Sequence, residues 1–150
     1  MDRKELKNKI LNVCLQTHKR TAETLLAEMT EAYQNAHDYG TPEDWFDTYK
    51  MDMLNKRDAY AIQLQKTLEE IKILEKIDPL KIFDKVTFGA VVITSTQKFF
   101  VSLGIGKIMV GDDTFYAISP SVPIYHAMQG MKAGDKFQFR DAVIKILDVF

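Results

Sequence analysis

Asp38-Tyr39-Gly40-Thr41-Pro42-Glu43-Asp44-Trp45-Phe46-Asp47-Thr48-Tyr49-Lys50-Met51-Asp52 is an acidic turn set between two long helical patterns. It carries five carboxylates (Asp38, Glu43, Asp44, Asp47, Asp52) against one cation, Lys50, so its field is negative throughout. Gly40, Thr41 and Pro42 interrupt the helical pattern within it. Negative charge gathered where two helices turn back is held out beyond a globular surface, which places the expected function at the turn.

Upstream, residues 3–37 contain neither Gly nor Pro. Leu11, Leu15, His18, Ala22, Leu25, Met29, Ala32 and Ala36 recur at alternating four- and three-residue steps, the spacing of a narrow coiled-coil seam. Downstream, Thr41 as N-cap, Pro42 at the first helical position and Asp44 in the first turn open a second helix that runs to Ile77. Met53, Tyr60, Leu64, Thr67, Ile71 and Leu74 keep the same steps, with Arg57 the polar exception, and Pro79 ends the pattern. Two such helices joined by a short turn lie antiparallel, and about 35 residues in each reach ~50 Å. So narrow a seam has little core of its own, and the base of the hairpin is expected to dock on the rest of the chain. His18 reads as a packed seam residue in preference to a metal ligand.

From Val86 the pattern changes. Residues 86–94, 99–103, 107–110, 115–118, 136–139 and 142–149 are rich in β-branched and aromatic side chains, with Gly104, Gly106, Gly111-Asp112-Asp113 and Gly134-Asp135 as turn punctuation. Residues 122–131 read as a short helix, opened by Ser119-Pro120-Ser121 and closed at Gly130. The expected core is Phe88, Val91, Ile93, Phe100, Val101, Ile108, Ile118, Ile124, Met128, Phe137, Ile144 and Ile146. The fold class is therefore α+β: an antiparallel coiled-coil hairpin over residues 1–78, then a small β-rich domain over residues 79–150.

Composition narrows the function. A formal charge of −1 leaves no basic footprint for sequence-specific DNA binding. Residues 1–78 hold 15 acids against 12 bases and residues 79–150 hold 6 against 8, so the excess negative charge belongs to the hairpin. The single cysteine, Cys14, has no internal disulfide partner, which fits a reducing cytoplasm and a small apolar role in the seam. No apolar run approaches the ~20 residues of a membrane span, and Met1 to Lys9 is too charged for a secretory leader. Gly104-Ile105-Gly106 lacks the third glycine and the strand–loop–helix context of a dinucleotide site.

Three stretches resemble the GreA/GreB family of bacterial transcription elongation factors. Lys85-Val86-Thr87-Phe88-Gly89-Ala90-Val91-Val92 is similar to the family's opening strand. Gly111-Asp112-Asp113 and Ala117-Ile118-Ser119 are similar to the approach to its signature. Ser119-Pro120-Ser121-Val122-Pro123-Ile124-Tyr125-His126-Ala127-Met128, with Gly130 and Gly134-Asp135, resembles the signature itself. The resemblance implies an FKBP-like C-terminal domain and a monomer that binds RNA polymerase, with Ser119, Pro120, Ser121 and Pro123 in the docking loop. It also implies a hairpin tip that enters the secondary channel and promotes cleavage of backtracked RNA. The factor would need no cofactor of its own, only the Mg²⁺ of the polymerase, and it would have no standalone active site. Asp44, then Glu43, would assist at that metal, with Asp38, Thr41 and Asp47 supporting the tip.

The tip departs from the family pattern. Thr41 stands where cleavage-competent members carry their first acid and Asp44 where they carry the second, while matching on Tyr49 would bring Trp45 to that second position. A channel-occupying inhibitor that does not promote cleavage therefore stays open as an alternative. Other classes are an FKBP-type prolyl isomerase, which needs a deep aromatic pocket, and a coiled-coil adaptor that dimerises through the seam.

Overall fold

A computed structural model describes residues 2–38 and 44–150, the backbone alone at 36–38, 44–50 and 53. The elements are α1 (Arg3–Asp38), α2 (Asp44–Glu75), β1 (Val91–Thr94), β2 (Lys98–Val101), β3 (Gly106–Val110), β4 (Asp113–Ile118), α3 (Pro123–Met128), β5 (Lys136–Phe139) and β6 (Ala142–Val149). The α+β expectation, helical hairpin first and β-rich part second, matches this order. Two compact units result, one of Thr17–Lys72 and one of Met1–Gln16 with Ile73–Phe150. Among the described residues no helix is long and apolar enough to cross a membrane.

Thr17–Lys72 is an antiparallel helix pair. His18 of α1 meets Glu70 of α2 at 3.0 Å, and the Arg57 guanidinium lies 5.6 Å from the ring centroid of Tyr33, so early α1 faces late α2 and the reverse. Ala22, Leu25 and Ala32 are buried on α1, and Thr67 and Ile71 on α2, all at positions of the four–three spacing. Thr67 turns its hydroxyl back onto the Gln63 carbonyl at 2.8 Å, which lets a polar residue occupy the seam with its donor satisfied. Leu26, Ile62 and Leu68, off those steps, are exposed.

The other unit is built on a six-stranded sheet of order β3-β4-β2-β1-β6-β5. All neighbours are antiparallel except β2 and β4, which run parallel with Phe100 opposite Ala117. Alternation along the strands divides the core in two. Val91, Phe100, Ile108, Phe115 and Ala117 pack with Ile10, Leu11 and Cys14 of α1 and with Leu74 and Ile77. Val92, Phe99, Val101, Ile144 and Ile146 pack with Tyr125 and Met128 of α3 and with Phe137. Complete burial of a side chain such as Phe100 contributes roughly 2–3 kcal/mol. Arg3 fastens the start of α1 to β6 through Asp148 at 2.7 Å and lies over Phe150, whose ring is buried.

Four expectations shift in detail. α2 stops at Glu75, and Lys76 and Ile77 continue it with bonds to Ile73 and Leu74, three residues back. β1 begins at Val91 instead of Val86, because Val86 exchanges hydrogen bonds with Gly130 and Met131 after α3. The short helix spans Pro123–Met128: Pro123 forces Val122 into extended backbone, and Gly130 at φ 76° turns the chain away. Phe88 is 39% exposed, and Ile93, Ile118 and Ile124 are half-buried, whereas Val86, Ala90, Val92, Phe99 and Phe115 fill the core.

Candidate functional site

Of the acidic stretch 38–52, residues 39–43 lie outside the described residues, and 38 and 44–50 are described by backbone alone. Thr41 and Glu43 are outside the described residues. Asp38 is the last residue of α1, Asp44 the first of α2, and Asp47 follows one turn later along that backbone. Among the described residues no group of three His, Cys, Asp or Glu side chains could hold a metal ion.

The loop of Ser119, Pro120, Ser121 and Pro123 joins β4 to α3 and is fully described. The Ser119 hydroxyl accepts the Ser121 N–H at 3.2 Å and lies 2.8 Å from the Ser121 hydroxyl, while the Ser119 carbonyl accepts the Val122 N–H. This self-bonded turn gives α3 no side-chain cap, and it leaves Ser121 and Pro123 exposed above a base anchored by buried Tyr125 and Met128. Such a turn is a rigid projection that can meet a partner without losing much conformational freedom. His126, exposed on α3, meets the Tyr125 ring edge to face, with centroids 6.1 Å apart.

A second cluster escaped the sequence reading. Lys7 of α1 is completely buried, donates to the Lys81 carbonyl at 2.7 Å, and sits 4.4 Å from the ring centroid of Phe83. Burial pushes its ammonium down from the ordinary 10.5 to about 8, against an upward pull from Asp78 and with a further downward push from Lys81. Lys81 also lies over Phe83, at 5.2 Å. Beside them is a cavity of about 480 Å³ walled by Ile77, Phe83, Phe88 and Gly89, with Lys76 and Lys81 at its polar side. Gly89 has φ 88°, and a Cβ there would stand 3.4 Å from the Phe83 ring, so the residue serves both the turn and the cavity wall. Seam spacing gave no signal for Lys7, since the alternating steps back from Leu11 fall on Asn8, one residue later.

No family model matches the sequence, and no curated protein matches it. Among solved structures the chain is similar to GreA factor homolog 1 (Gfh1) of Thermus thermophilus, with 16% identity, 93% of this chain and 94% of that chain covered, and a TM-score of 0.34. It is also similar to Thermus aquaticus Gfh1, with 12% identity, 89% of each chain covered and a TM-score of 0.33.

Proposed function

We propose that this chain is a Gre-like transcription elongation factor that binds RNA polymerase and presents the acidic turn between α1 and α2 inside the secondary channel. The observation that carries the reading is the antiparallel pair within Thr17–Lys72, a rigid support for a connection holding five carboxylates. The resembling stretches at 85–92 and 111–135 add to it, with Ser119–Pro123 as the docking turn. Asp44, with Glu43 beside it, would supply oxygen ligands to an Mg²⁺ that the polymerase shares. Hard Mg²⁺ keeps several of its waters and needs only one or two carboxylates. At such a metal the tip would orient water for attack on the extruded RNA, while the polymerase supplies the chemistry. Asp38 and Asp47 add field, and the factor has no reaction of its own.

Thr41 favours a second reading, a regulator that fills the channel and leaves cleavage unstimulated. A backtracked elongation complex of the cognate polymerase separates the two. Mg²⁺-dependent shortening of the transcript that Asp44→Ala lowers by at least tenfold supports the cleavage factor. Tight binding with cleavage unchanged or slowed supports the regulator. Absence of binding, with the folded protein in micromolar excess, removes both. Ser121→Arg, on the exposed docking turn, is expected to weaken polymerase binding at least tenfold while leaving the fold intact.

A further inference from the structure

We propose that the cavity between the end of α2 and the start of β1 is a binding site for an acidic peptide segment of a partner protein, an apolar side chain seated between Phe83 and Phe88 and carboxylates meeting Lys76 and Lys81. At about 480 Å³ it has the volume of a ligand site and room for one large side chain with neighbouring backbone. Ile77, Phe83, Phe88 and Gly89 form its apolar side, with Phe88 39% exposed, and two further exposed apolar residues, Leu80 at 64% and Ile82 at 37%, flank lining residue Lys81 in the chain. A small ligand would leave that outlying surface wet, whereas a peptide covers it.

Charge selects the partner's sign. Among the described residues neither Lys76 nor Lys81 has an ion-pair partner. Asp78 lines the same cavity, but one of its oxygens accepts the Leu80 N–H at 2.9 Å, and its charge acts on buried Lys7. Lys7 and Lys81 both stand against the ring of Phe83, so two like charges share one aromatic wall. A carboxylate arriving there relieves their repulsion, and a cation adds to it. Phe83 links the two halves of the site, as the wall for the apolar group and the platform for the ammonium groups.

The test is an NMR titration of the isotope-labelled full chain with three blocked pentapeptides. They are acetyl-Asp-Glu-Phe-Asp-Glu-amide, its counterpart with Ser for Phe, and its counterpart with Lys for every acid. The Phe-containing acidic peptide should give saturable shifts at the amides of Phe83, Phe88 and Gly89 and raise the protonated fraction of Lys7 at pH 8. Lys76→Glu with Lys81→Glu, both exposed, should weaken it at least tenfold with the other amide positions unchanged, and Phe88→Ala should do so independently. No saturable shift at these residues, equal binding of the Ser or Lys peptide, or binding untouched by the charge reversals would overturn the proposal. So would phenylacetate alone binding as tightly as the peptide, since the site would then take a small aromatic acid.

Discussion

Lys7 illustrates how one residue can be set against its surroundings. With its folded pKa near 8 and its unfolded value near 10.5, the unfolded chain holds the proton and the folded chain does not between those limits. Stability therefore rises with pH from about 8 to 10.5, and below that window the folded state carries a constant penalty of roughly 3 kcal/mol. Lys7→Met removes the charge and keeps the packing, at the cost of the bond to the Lys81 carbonyl, worth about 1 kcal/mol. Denaturant unfolding of both proteins is expected to show the variant ahead by about 1–2 kcal/mol at pH 7 and behind or level at pH 10.5. Cys14 makes the opposite case. Burial pushes its thiol up to about 12, so at pH 8 a thiol reagent is expected to label it only through unfolding, and labelling should accelerate in step with denaturant-induced opening. Its apolar role followed from the sequence alone, since a lone cysteine among helical apolar residues has few other uses. Burial of Lys7 did not, because it depends on Phe83 and the Lys81 carbonyl, more than seventy residues away in the chain.

At the scale of elements, the β5–β6 hairpin carries the clearest local cost. Phe139 pairs with Ala142, so Arg140 and Asp141 form a two-residue loop, and both have positive φ, 49° and 66°. Hairpin loops of this length favour Asn-Gly there, because an ordinary side chain at positive φ is strained. Arg140→Asn with Asp141→Gly is expected to stabilise by about 1 kcal/mol and to raise the melting temperature by ~2–4 °C, read by calorimetry. The seam of Thr17–Lys72 was readable because its period is strictly local: Ala22, Leu25, Ala32, Thr67 and Ile71 sit on the spaced positions. The start of β1 was not readable. Residues 86–90 have strand composition, yet the backbone of Val86 pairs with the turn after α3. A strand is defined by its partner, and composition names none.

For the whole molecule, the narrow seam raises the question of what satisfies it. His18 and Glu70, and Tyr33 and Arg57, meet within one chain. Sedimentation equilibrium is accordingly expected to give a monomer of 17.2 kDa across micromolar concentrations, and a stable dimer would favour the adaptor reading. The sequence by itself determined the two helices, the acidic connection between them and the strand-rich remainder, because heptad spacing, Gly-Pro punctuation and β-branched runs act over a few residues. It also displayed every residue of the Ser119–Pro123 turn, whose bonds are made to near neighbours. Only the tertiary structure decided the strand order, the parallel pairing of β2 with β4, and the partition of the core between the α1–α2 side and the α3 side. It alone brought Lys7, Lys81 and Phe83 into one cluster beside the cavity. Those outcomes depend on which distant surfaces exclude water together, and no local pattern encodes the identity of a distant partner.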